Sequence, residues 1–214
     1  MTSHKLLLFT LSMLTLTALA CNAAMDPVPA ATEAPAEATE FVPPPESVPA
    51  FGQCPTAGEG QTLYRLDDAI SGGYCFLFPS DFVENNTAGH GIISLQGPTY
   101  GGGQEPSLAF LNIYTDTPAG MTLEQLIDKR VSDMLGGGSP DLPVTVSTMP
   151  LDVESARLVY GMPGRLQSRT IFVIHSDVLY VLVFSPDEPE LEPAPTADMQ
   201  RLFDMVTSSW VFQQ

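Results

Sequence analysis

RTIFVIHSDVLYVLVF, Arg169 to Phe184, is the stretch that decides the fold. Its halves, Arg169 to His175 and Val178 to Phe184, are β-branched and aromatic runs of strand length. Ser176-Asp177 between them reads as a tight hairpin turn. Both halves are apolar at consecutive positions, whereas an antiparallel sheet with one wet face would alternate. Both faces of the hairpin are therefore expected to be covered, and helices must do the covering.

Working outward, Gly73 to Phe78 is a short apolar run closed by Pro79, and Gly91 to Leu95 is another that ends at Gly97-Pro98. Leu108 to Tyr114, Thr145 to Met149 and Ser155 to Gly161 read as further strands. Two helices are available. Thr122 and Gln125 form a capping box, and Leu123, Leu126, Ile127, Val131, Met134 and Leu135 then fall on one stripe. A second helix is expected to start near Thr196, with Asp198 in its first turn, where the helix dipole favours an anion. Met199, Leu202, Phe203, Val206 and Trp210 make its apolar stripe. The fold class is thus α+β: an antiparallel β-sheet flanked by helices on both faces.

The N-terminus gives an address. A charge at Lys5 precedes an apolar run, Leu6 to Ala20, that is shorter than the roughly 20 residues a spanning helix needs. The run ends in Ala18-Leu19-Ala20-Cys21, which resembles the lipobox of bacterial lipoproteins. That resemblance implies a signal peptide over residues 1–20, removed by a cut before Cys21, and acylation of the Cys21 thiol. Two acyl chains suffice for stable membrane attachment where one does not. The expected location is extracytoplasmic, anchored by lipid to a bacterial cell membrane or outer membrane. Residues 21–53 are Pro, Ala and Glu with few large apolar side chains, a composition that cannot offset the entropy of ordering. They read as a disordered tether, and residues 54–214 as a single globular domain. Once Cys21 is assigned to the anchor, Cys54 and Cys75 remain as a pair in an oxidising compartment, where a disulfide is expected. The alternative is two unpaired thiols.

The 25 Asp+Glu against 8 Lys+Arg leave a net charge of -17. Nucleic-acid affinity rests on Lys and Arg neutralising phosphates, so that class of partner is excluded. Docking on anionic lipid headgroups through a basic patch is disfavoured for the same reason.

Three local stretches, Tyr74 to Phe82 (YCFLFPSDF), Val178 to Phe184 (VLYVLVF) and Ser208 to Phe212 (SSWVF), taken with the order of elements, resemble the PsbP-like family. That family also occurs as a domain of bacterial envelope lipoproteins. The resemblance implies an α/β/α sandwich. It implies little about activity, because members assist assembly of membrane complexes or have no assigned role, and a fold does not fix a function.

Chemistry is sparse. His90 and His175 have no Asp or Ser tied to them by spacing. No G-x-S-x-G elbow exists. Neither Gly101-Gly102-Gly103 nor Gly136-Gly137-Gly138 fits a phosphate loop. Asp187, Glu188, Glu190 and Glu192 lie in the loop PDEPELEPAP, Pro186 to Pro195. They are weak candidates for a divalent cation such as Ca²⁺, against the plainer reading of a solvated acidic loop. Asn85-Asn86-Thr87 is formally a glycosylation sequon, which a lipobox makes irrelevant. The expectation is a non-catalytic, lipid-anchored envelope protein, a binding or assembly module with a possible envelope protein partner and no cofactor. The alternatives are a small-ligand or divalent-cation binder with a pocket between sheet and helix, or an enzyme whose site is scattered in sequence.

Overall fold

The computed structural model describes residues 52–67, 73–85, 92–101, 107–135, 144–164 and 166–213. Residues 1–51, which hold the expected signal segment, Cys21 and most of the expected tether, lie outside the described residues, as do Asn86-Thr87, His90, Gly102-Gly103 and Gly136-Gly137-Gly138. Strands β3 (Val83–Glu84), β4 (Ile93–Tyr100), β5 (Ser107–Asp116), β6 (Thr145–Leu151), β7 (Glu154–Met162), β8 (Ser168–His175) and β9 (Val178–Ser185) form one sheet in the order β3-β4-β5-β9-β8-β7-β6. Every pairing in it is antiparallel. The β8–β9 hairpin lies inside the sheet and closes at His175 opposite Val178. Ser176 and Asp177 both take left-handed backbone angles, φ 49° and 61°, as a two-residue hairpin turn matched to strand twist requires.

The two helices cover opposite faces. Helix α1 (Leu123–Met134) begins at the expected capping box, with the Thr122 hydroxyl accepting from the Gln125 amide and the Gln125 side chain accepting from the Thr122 amide. Its Leu126, Ile127 and Val131 pack with Phe172, Leu179 and Val181. Helix α2 (Pro193–Ser209) packs Met199, Leu202, Phe203 and Val206 against the other face, with Leu111, Ile171, Tyr180 and Leu182. This helix starts a turn earlier than expected, with proline at its first position, where a missing N–H costs nothing. Asp198 is therefore not in the first turn. It is buried in the second, where it accepts from the Tyr100 hydroxyl at 2.6 Å and from Arg201 at 2.9 Å.

The run expected as the first strand, now β2 (Tyr74–Pro79), does not join the main sheet. It pairs with β1 (Gln61–Leu66) and β10 (Val211–Phe212) in a small antiparallel sheet. That sheet shares the α2-side core through an aromatic stack, in which the Trp210 ring lies 4.6 Å from Tyr74 and 5.2 Å from Phe76. The Cys54–Cys75 disulfide ties the start of the described domain to β2, with Cα atoms 5.7 Å apart. A structural disulfide is a mark of an oxidising compartment.

The stack has a pH consequence. Burial, with Glu84 adding repulsion, pushes the Tyr64 hydroxyl up to about 12, and burial pushes Tyr74 up further still. Both values are raised, so the neutral forms contribute stability that is fully present below 10.0, the ordinary value, and is lost as pH climbs through the folded values. Thermal melts are expected to be flat from neutral pH up to that point and to fall beyond it. Pairing Tyr64→Phe with Tyr74→Phe should flatten the alkaline limb, and an unchanged limb would contradict the assignment.

Candidate functional site

Helix α1 is too short to cover its face of the sheet. Its twelve residues span about 18 Å at 1.5 Å per residue. Near its start, Glu124 accepts from Arg157 of β7 at 2.8 and 2.9 Å; near its end, the Arg130 guanidinium lies over the Tyr114 ring of β5 at 5.9 Å. The helix thus crosses from β7 to β5 and leaves the rest of that face open. The opening is a cleft of about 450 Å³ between sheet, α1 and the β7–β8 connection.

The sheet changes composition where the helix stops. Beneath α1 the face carries Phe172, Leu179 and Val181. Beyond it the register aligns Asn112 with Val183 and Thr170, then Phe110 with Ser185, and Ser168 with Met162. The floor of the cleft therefore carries hydroxyls, an amide, the Phe110 ring and Val183, and the charged groups of its lining, Arg130 and Glu192, stand at its ends. A sheet face open to water would carry charged side chains, yet Thr170 is 1 % exposed, Ser185 3 % and Ser168 6 %. Met134, Met162, Pro163 and Leu166 line the cleft with apolar surface. Met162 reaches it through a bulge: the β7–β8 register shifts between Val159 and Met162, where Gly161 takes φ 72°. A side chain at residue 161 would be strained in that left-handed conformation.

The hydroxyls are loosely held. Ser168 and Thr170 face each other at 3.4 Å, and Ser185 donates to the Gln167 carbonyl at 3.4 Å. Among the described residues the Asn112 side-chain amide has no hydrogen-bond partner, although it is only half-exposed. Arg130 is set apart too. Arg65, Lys129, Arg157, Arg169 and Arg201 each pair with a carboxylate, while Arg130 has none among the described residues. Ser107 and Glu192 mark the opposite end, joined by a 2.7 Å hydrogen bond from the hydroxyl.

The acidic loop does not converge. Asp187 is paired with Arg169 at 2.7 Å, Glu188 accepts from the Gln167 amide at 2.7 Å, and Glu192 is held by Ser107. Glu190 is exposed. The loop's carboxylates answer separate protein donors because the chain turns there to start α2, and among the described residues no three His, Cys, Asp or Glu side chains come together. His175 bonds Glu154 through Nδ1 at 2.8 Å and stacks on Phe212 at 4.2 Å, at the end of β8 away from the cleft.

A second cluster joins α2 to the β2–β3 turn. Arg201 donates to both oxygens of Asp81, at 2.8 and 2.7 Å, and to Asp198. The hydrogen bonds from Arg201 hold the Asp81 carboxyl below its ordinary value, and Asp81 in turn raises Arg201. Every member has a partner, so the cluster is a clip and offers nothing to a ligand.

No family model matches the chain, and no curated protein matches it. Among solved structures it is similar to the cyanobacterial PsbP protein CyanoP of Synechocystis sp., with 19% identity over 75% of this chain and 98% of that one, at a TM-score of 0.44. It is also similar to PA94 of Pseudomonas aeruginosa, a protein of unknown function, with 19% identity over 66% of this chain and 95% of that one, at a TM-score of 0.36. The likeness is one of fold.

Proposed function

We propose that this chain is a non-catalytic, membrane-tethered binding protein of a bacterial envelope, and that its domain takes a ligand in the cleft beside α1. The observation that carries this reading is the recess itself, a neutral polar floor under apolar walls at the place where α1 stops. Its size falls in the range of small-ligand sites, roughly 300–1,000 Å³. A catalytic role is disfavoured because the buried hydroxyls answer one another or a backbone carbonyl, and His175 is engaged elsewhere. The disulfide fits an oxidising compartment, and the Cys21 anchor supplies the tether.

The test is crosslinking in native membranes, comparing the full-length protein with an Asn112→Trp variant. Asn112 stands on a sheet surface where a large aromatic is tolerated, and the indole would fill the cleft. The crosslinked species is expected to be lost from the variant while its melting temperature stays near that of the parent. An unchanged crosslinking pattern would end the cleft reading.

A further inference from the structure

Resting on that reading, we infer that the occupant of the cleft is a short, extended, apolar peptide segment whose C-terminal carboxylate sits at Arg130. The first argument is length. Tyr114, under Arg130, and Ser107, bonded to Glu192, lie seven residues apart on β5. At about 3.3 Å per residue the cleft therefore runs about 23 Å along the strand, the span of roughly six or seven extended residues.

The second argument is charge. In a chain with 25 acidic residues against 8 basic ones, a cation without a carboxylate is unusual, and Arg130 is that cation among the described residues. It is held over the Tyr114 ring and lines the cleft. A planar guanidinium in that position suits a carboxylate, which it can meet with two parallel hydrogen bonds. Glu192 at the other end leaves a carboxylate for a peptide's ammonium.

The third argument is the middle of the floor. Asn112 offers both an amide donor and an amide acceptor, the complement of a peptide group. An aliphatic chain of the same length would leave that amide unanswered, so the floor favours a peptide over a fatty acid. Met134 and Met162 beside it are adaptable walls, suited to apolar side chains of varied shape.

The experiment is calorimetric titration of the full-length protein. One probe is a mixture of heptapeptides of Ala, Val, Leu, Ile and Phe with free termini; the others are the same mixture amidated at the C-terminus, and palmitate. The free acids are expected to bind at least 10-fold more tightly than the amides. Arg130→Gln should bring the acids down to the amide level and leave the melting temperature unchanged. Asn112→Leu should weaken acids and amides alike. Equal binding of acids and amides, or an Arg130→Gln variant that binds like the parent, would overturn the assignment. So would palmitate binding where no peptide binds, and in that case the cleft reading survives if Asn112→Trp abolishes it. Absence of all binding, together with a crosslinking pattern indifferent to Asn112→Trp, would sink both.

Discussion

Asp187→Ala is expected to lower the unfolding free energy by about 2–3 kcal/mol, between the cost of breaking an exposed ion pair and that of leaving one member of a fully buried pair alone. The Arg169 and Asp187 side chains are only 13% and 14% exposed, and they meet through two hydrogen bonds of 3.2 and 2.7 Å. The guanidinium lies between the rings of Tyr160 and Phe203, at 5.1 and 4.9 Å, and bonds Gln200 of α2. It cannot turn to water without opening the contact between β8 and α2. Removing the carboxylate therefore strands a charge among aromatic rings. Urea denaturation measures the loss. A double variant, Arg169→Met with Asp187→Leu, should recover most of it, because a well-packed apolar pair avoids the desolvation cost altogether. A loss below about 1 kcal/mol in the single variant would be that of an exposed pair and would contradict this packing.

The second large effect is expected from the disulfide. Cys54 and Cys75 are 21 positions apart, and a crosslink closing such a loop contributes about 3 kcal/mol by restricting the unfolded chain. Cys54→Ser with Cys75→Ala is the suitable variant, since Cys75 is fully buried and a serine there would add an unsatisfied hydroxyl. The damage should concentrate in the small sheet, where β2 holds both β1 and β10, and where Gln213 reaches the Cys54 sulfur at 2.9 Å. Denaturant unfolding with and without reductant reads the effect. A parent protein indifferent to reductant, with the variant equally stable, would contradict it.

These two contacts also mark where the sequence is legible and where it is not. The β8–β9 hairpin and the α1 capping box are local, and their residues announce them. The helix stripes follow from periodicity for the same reason, with two departures: Trp210, read as the end of the second stripe, lies just past α2 and stacks on the small sheet, and Met134 of the first stripe is exposed. β1, QTLYRL, escapes because among its residues only Tyr64 is buried, so no apolar pattern appears. β10 has two residues, fewer than any periodicity can register. The pairing of Cys54 with Cys75 is readable by elimination, whereas Asp187 reads as one of four loop carboxylates until the fold brings Arg169 to it. The cleft is the least visible of all. Asn112 looks like an interruption in the apolar strand SLAFLNIYTD. It becomes the floor of a recess only because α1 stops short, Gly161 bulges and β9 runs alongside.

The central claim, that the cleft beside α1 holds a ligand in its native setting, is tested most directly by hydroxyl-radical footprinting of two methionines. Met134 lines the cleft and is 44% exposed, whereas Met205 of α2 lies on the opposite side of the sheet and serves as the internal reference. Oxidation is compared between native membranes and the purified, delipidated chain. An occupied cleft predicts that Met134 is protected several-fold in membranes relative to Met205 and becomes reactive on purification. Equal Met134-to-Met205 ratios in the two preparations would contradict it.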